Sequence, residues 1–190
     1  MRPNPIARAL REGRPTFGTH VFSQWPTIVE VIGHTKVFDY VEFSGEYAPY
    51  DLFSLDNFCR AAELHGMSSM MKLDQEPKKY LAQRAIGAGF QSVLFADIRN
   101  VEDVKEAVRA VRPDHPQGGG TYGAADRRAM LMFSAGTPRY LEALNEIVVA
   151  IMIEKASAVE QLEEILAVPG IDMVQWGPAD YSMSLGRIGE

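Results

Sequence analysis

The chain has 190 residues with 46% hydrophobic and 23% charged side chains, enough for one domain with a sizeable core. Its longest apolar run (147–153) is strand-sized, its basic start MRPNPIARALREGRP lacks the apolar centre of a secretory signal, and so neither a membrane span nor a leader is indicated. One cysteine, Cys59, excludes an internal disulfide framework or cysteine metal cluster, and a net charge of −6 without a basic stripe excludes nucleic-acid binding; a cytoplasmic protein is expected.

Strand-like apolar runs alternate with helix-period stretches along the chain. Thr16 to Phe22 reads as a strand and Pro26 to Ile32 as a helix. Phe38 to Ser44, ended by Gly45, is the next strand, and Asp56 to His65 the next helix, stopped by Gly66. Met67 to Leu73 is a strand, Lys78 to Ala88 a helix closed by Gly89, Gln91 to Ala96 a strand and Val101 to Val111 a helix. The rhythm then breaks. Residues 112–136 hold Pro113, Pro116 and Gly118-Gly119-Gly120, the composition of a long loop or arm, with a weak strand signal at Gly120–Gly123. Helix 138–146, strand 148–153, helix 157–167 and strand 172–176 follow, the last running into Gly177-Pro178-Ala179-Asp180.

Near-continuous apolar strands separated by helices mean a parallel sheet covered by helices. No glycine-rich phosphate loop follows the first strand, as an open doubly wound dinucleotide fold would require. The expectation is one α/β domain over residues 1–190, a (β/α)8 barrel. Seven strand slots can be counted, one strand and one helix short of closure.

Barrel chemistry is built at the C-terminal ends of the strands. Those ends carry His20, Ser44-Gly45-Glu46-Tyr47, Lys72, Asp74, Asp97, Glu154 and the Gly177–Asp180 turn. Glu154 closes an apolar strand, where an unpaired carboxylate is costly to bury. Asp180 comes one strand later, so the two carboxylates can face each other. Two hard oxygen ligands suit Mg²⁺ or Mn²⁺ completed by water and a chelating substrate. Structural readings stand beside this one: Glu154 paired with Lys155, and Asp180 capping a helix that starts at Tyr181.

Residues 150–154 (AIMIE), 158–172 (AVEQLEEILAVPGID) and 177–182 (GPADYS) resemble the HpcH/HpaI aldolase family, metal-dependent class II aldolases of 2-oxo acids. Gly18, Phe38-Asp39-Tyr40-Val41 and Gly45-Glu46-Tyr47-Ala48-Pro49 extend the likeness over nearly the whole chain. The resemblance implies that Glu154 and Asp180 hold the metal, and that backbone N–H groups around Gly177 and Ala179 hold the substrate carboxylate. It also implies a homo-oligomer, hexameric in the family, with the last strand and helix exchanged between subunits. The chain departs from the family at the general base, where Tyr47 stands for a histidine, and at the substrate arginine, where Lys72 stands. Met152 replaces a glutamine, and an aspartate is replaced near Ser44.

Tyrosine is a poor base near neutral pH unless a cation assists it, and lysine keeps the charge of arginine but not its fork. His20, at the end of the first strand, is a candidate replacement acid or base. Glu42 shares side-chain parity with Ser44, so a buried Glu42–Lys72 pair is expected, satisfied and catalytically idle. A Schiff-base role for Lys72 is disfavoured beside a metal pair, the methionines Met67, Met70 and Met71 read as core, and the triple glycine lacks the lysine of a phosphate loop.

The leading functional reading is a carbon–carbon lyase acting on a 2-oxo acid, with an aldehyde partner, through a pyruvate-type enolate. The alternatives are another enolate enzyme, such as a decarboxylase, and an inactive barrel kept for binding or assembly. An open barrel edge would expose unpaired backbone and apolar surface. Either a longer polypeptide or a partner chain is therefore expected to close it.

Overall fold

The computed structural model describes residues 3–188; the expected domain, 1–190, extends to two residues at each end that lie outside them. A short helix α1 (Pro5–Arg11) comes first. The body follows as β1 (Gly18–Val21), α2 (Pro26–His34), β2 (Tyr40–Ser44), α3 (Leu52–Leu64), β3 (Ser68–Leu73), α4 (Lys78–Ala88), β4 (Ser92–Ile98) and α5 (Val101–Val111). Then come α6 (Arg127–Leu131), α7 (Pro138–Asn145), β5 (Val148–Ile153), α8 (Ala156–Glu160), α9 (Leu162–Leu166), β6 (Met173–Trp176) and α10 (Pro178–Ser184).

The strands form one parallel sheet in the order β1-β2-β3-β4-β5-β6. Strands adjacent in sequence are neighbours in space because each intervening helix returns the chain over one face. The result is a curled partial barrel of six strands among the described residues. Seven were expected. The weak Gly120–Gly123 signal becomes a single bridge between Tyr122 and Pro113, and the arm instead folds α6, capped by the Asp126 carboxylate on the Ala129 N–H.

Side-chain alternation gives the sheet two apolar faces. Outward-facing Phe43, Met71, Leu73, Phe95, Val149 and Ile151 pack against the helices. Inward-facing Met70, Leu94, Val148 and Ala150 form a smaller core with Ile6 and Ala7 of α1, which plugs the floor of the barrel. Helix α1 was not foreseen, being seven residues long and held by tertiary bonds rather than propensity. The buried Asn4 side chain donates from Nδ2 to the carbonyls of Gln91 (2.8 Å) and Glu146 (2.9 Å). Its Oδ1 accepts from Ile6 N (3.2 Å) and Ser68 Oγ (3.1 Å). Three strand beginnings are thereby tied to one residue.

Candidate active site

The mouth of the barrel is built where β2, β3, β4, β5 and β6 end. At β2, the Ser44 carbonyl accepts from the N–H groups of Tyr47 and Ala48 (both 3.1 Å), a tight turn that lifts Glu46 and Tyr47 over the mouth. Gly45 permits it, since a Cβ there would lie 2.9 Å from the Lys72 carbonyl oxygen and 2.7 Å from Met71 Cε. Lys72 stands opposite Ser44 in register and is buried. Its ammonium lies 2.6 Å from Glu46 Oε2, donates to Tyr47 Oη at 2.9 Å and sits 4.5 Å from the centre of that ring. Burial works against the charge of Lys72, but the hydrogen bonds to Glu46 and Tyr47 outweigh it and hold the ammonium above its ordinary pKa. A lysine kept protonated is a point charge for an anion, not a nucleophilic amine.

The expected Glu42–Lys72 ion pair is not formed. Glu42 pairs in register with Met70, one rung deeper than Lys72, and Lys72 reaches the turn above it instead. Burial raises the pKa of Glu42, while the charges of His20 and Lys72 partly offset that rise. His20 lies opposite Glu42 on the edge strand β1, exposed, with its ring edge-on to Phe22 at 5.3 Å.

Glu154 follows β5 and is 3% exposed. Its Oε1 accepts from the backbone N–H of Asp97 at 2.7 Å. That N–H is aimed by an irregularity in β4: the register with β5 slips between Phe95 and Ile98, and Asp97 takes φ +58°. Such a bulge turns a strand group that would otherwise enter the ladder, and aspartate tolerates the left-handed backbone better than most residues. Gly177 closes the other side. A Cβ on Gly177 would lie 2.6 Å from both Cβ and Oε2 of Glu154, so only glycine lets the last turn approach the carboxylate this closely. Burial raises the pKa of Glu154; the Asp97 N–H, Lys72 and Lys155 relieve it, and the charge of Asp180 adds to it.

Asp180 is not the cap of a helix starting at Tyr181. Helix α10 begins at Pro178, with Gly177 as the capping position, and Asp180 lies in its first turn, where a carboxylate suits the helix dipole. Nor does Lys155 pair with Glu154. Its ammonium bridges Asp180 Oδ1 and Asp97 Oδ1, each at 3.0 Å. Burial opposes that ammonium, yet its hydrogen bonds to Asp180 and Asp97 prevail and raise its pKa. Of the backbone donors expected for a substrate carboxylate, the Gly177 N–H is already given to the Ile153 carbonyl (3.0 Å). The Ala179 N–H belongs to the first turn of α10, where such groups have no intrahelical acceptor.

The structure thus gathers Tyr47, Lys72, Glu154 and Asp180 around one opening, with His20 at its edge strand. Glu46 and Asp97, read from the sequence only as strand-end residues without a stated role, join them, as does Lys155, read only as a structural partner for Glu154. The rule that found Glu154 and Asp97, a charged residue ending an apolar strand, applies equally to Lys155. Among the described residues, no group of three or more His, Cys, Asp or Glu side chains is arranged to hold a metal ion. Glu154 and Asp180 nevertheless fit a hard divalent cation. Both are oxygen donors, Glu154 is buried with the charge of Asp180 acting on it, and a two-carboxylate set leaves positions for water and a chelating substrate.

The sequence pattern of the HpcH/HpaI aldolase/citrate lyase family matches residues 17–190. The chain belongs to that family. Membership makes it an enzyme of the lyase type. A hydroxypyruvate/pyruvate aldolase of Roseovarius nubinhibens is 32% identical, the match covering 98% of this chain and 71% of that one. A 2-keto-3-deoxy-L-rhamnonate aldolase of Salmonella gallinarum is 30% identical over 96% of this chain and 67% of its own length. The crystal structure of an HpcH/HpaI aldolase/citrate lyase family protein from Burkholderia cenocepacia superposes with a TM-score of 0.86 at 28% identity. That superposition covers 99% of this chain and 74% of that one. The fold is accordingly the curled parallel half-barrel seen in this family's structures, with six strands among the described residues.

Proposed function

We propose that the protein is a divalent-metal-dependent carbon–carbon lyase that makes or breaks the bond between the carbons α and β to the keto group of a 2-oxo acid, with a pyruvate-type enolate on the 2-oxo acid side. The observation that carries this reading is the buried carboxylate of Glu154, pressed against the Gly177 turn and electrostatically coupled to Asp180. The relatives named as aldolases of pyruvate, hydroxypyruvate and a keto-deoxy sugar acid support the substrate class. Glu154 and Asp180 would hold Mg²⁺ or Mn²⁺. When bound, that cation supplies positive charge that stabilises the enolate left by cleavage.

The chain's own side chains do the rest. Lys72, fixed as a cation by Glu46, attracts the substrate carboxylate, assisted by the Ala179 N–H. Tyr47 stands over the mouth with its hydroxyl on the Lys72 ammonium, placed to take or return a proton. His20, exposed at the rim, is a second proton carrier. Among the described residues the edge strands β1 and β6 pair on one side only, and a homo-oligomer is part of the proposal.

The test is proton exchange at the methyl group of pyruvate in D₂O with Mn²⁺ or Mg²⁺, which needs no knowledge of the aldehyde. Exchange by the native protein, lost at least ~100-fold in both Glu154→Gln and Asp180→Asn as expected for removing a group that stabilises developing charge, supports the reading. Exchange that persists in either variant refutes the metal assignment. Carbon dioxide released from a 2-oxo diacid without aldehyde chemistry would favour the decarboxylase alternative.

A further inference from the structure

Lys155 stands where the proposed metal reading has no use for a cation. Its side chain is 11% exposed and its ammonium lies 3.0 Å from one oxygen of Asp180 and 3.0 Å from one oxygen of Asp97. The two partners differ in firmness. Asp97 is fixed by the bulge of β4, by its N–H on Glu154, and by a two-pronged contact with Arg99: Nε to Oδ2 at 3.1 Å and Nη2 to Oδ1 at 2.9 Å. Asp180 is more exposed and sits on the short helix α10, which is tied back beyond β5 by the Ala156 N–H donating to Ser184 Oγ (3.0 Å). One ammonium thus links an anchored carboxylate to a yielding one.

We propose that Lys155 is a resident counter-cation that a divalent ion must displace from Asp180, with Asp97 as the carboxylate that keeps it. The inference rests on the reading of Glu154 and Asp180 as the metal pair. Three physical points carry it. The Asp180 oxygen that Lys155 occupies cannot serve a divalent ion at full strength while bonded to an ammonium, because both compete for the same lone pairs. A divalent ion bound there would also repel the ammonium in a poorly screened site. And Lys155 has a second, buried anion within reach, so release from Asp180 does not strand its charge. Metal occupancy then depends on an exchange of cations at Asp180, and the metal-free chain keeps α10 seated through the Lys155 contact.

The measurement is Mn²⁺ affinity by the electron paramagnetic resonance signal of free Mn²⁺, on wild type, Lys155→Met, Lys155→Gln, Lys155→Arg and Glu154→Gln. Both neutral variants should bind Mn²⁺ roughly tenfold more tightly or better, the scale of one charge-assisted hydrogen bond removed from competition. Lys155→Arg should stay near wild type. Without metal, the neutral variants should melt below wild type and regain the difference on adding Mn²⁺. Binding in a neutral variant where wild type shows none would support the proposal most strongly. Unchanged or weaker affinity in folded neutral variants, with Glu154→Gln still abolishing binding, overturns the competition and leaves the metal pair standing. Mn²⁺ binding by none of the proteins overturns both. Should Lys155→Met fail to fold, Lys155→Gln carries the same comparison.

Discussion

The two ends of the barrel use polar groups in different ways. At the floor, most of their bonds go to backbone. Asn4 satisfies strand beginnings on three sides, and Arg112 donates to the carbonyls of Ile147 (2.8 Å) and Gly170 (3.0 Å). Asp172, at the surface, accepts from the Val149 N–H at 2.8 Å and from Arg112 Nη2 at 3.4 Å. At the mouth, charges are set against charges: Lys72 between Glu46 and Tyr47, Lys155 between Asp97 and Asp180, and Glu154 with its pKa raised. A floor whose polar side chains bond mostly to peptide groups gains stability without needing a ligand. A mouth of opposed charges holds electrostatic stress that a ligand can relieve, the division expected of a barrel whose chemistry lies at the strand ends.

The sharpest test of that contrast is at the floor. Asn4→Ala removes four hydrogen bonds at once and leaves buried carbonyls without this donor. It should lower stability by about 3 kcal/mol, on the order of 10 °C in melting temperature, while leaving Mn²⁺ affinity unchanged. Thermal denaturation and metal titration of the same preparation check both halves. A change in metal affinity would mean the two ends are not independent.

At the mouth the order reverses. Lys72→Met should raise KM for the 2-oxo acid by a factor equivalent to about 1.5–3 kcal/mol, the cost of losing a charge-assisted hydrogen bond. Stability should change less than in Asn4→Ala, because the lost ion pair is balanced by the lost burial of a charge. Steady-state kinetics of Lys72→Met and Lys72→Arg decide it. If neither variant moves KM, Lys72 is held by Glu46 for structure alone.

The strands were legible because most are near-continuous apolar runs bounded by turn residues, and the strand-end rule brought His20, Tyr47, Lys72, Glu154 and Asp180 to the same side. Partnership was not legible. Parity put Glu42 and Lys72 on one face, but the register Ser44–Lys72 sets lysine a rung above Glu42 and within reach of Glu46. Adjacency suggested Glu154 with Lys155, yet consecutive residues leave a strand end in different directions, and Lys155 crosses to Asp97 and Asp180. The β4 bulge that aims the Asp97 N–H has no sequence signature of its own. Helix α1 escaped because seven residues give too few turns for a periodic signal. The same shortness misled the reading of Gly120–Gly123 as a strand.

The smallest effect is also the most diagnostic of stress at the mouth. Burial raises the pKa of Glu154 in the folded chain, so the folded state holds its proton at pH values where the unfolded chain has already released it. In that window the folded form binds more protons, and stability must fall as pH rises. The contribution of Glu154 is therefore neutral in acid, below the ordinary carboxylate range, and unfavourable once pH has passed the raised value. Glu154→Gln keeps an oxygen for the Asp97 N–H but carries no charge. Without metal, its melting temperature should match wild type in acid and rise above it toward neutral pH, by about 1 kcal/mol or less, roughly 2–4 °C in a chain of this length. Adding Mn²⁺ should invert the order, because only the native carboxylate gains from the cation. Melting curves of both proteins across pH 3–8, with and without Mn²⁺, test the sign directly. A difference that stays flat with pH would show that burial does not oppose the charge of Glu154, and the contrast between floor and mouth would then rest on Lys72 and Lys155 alone.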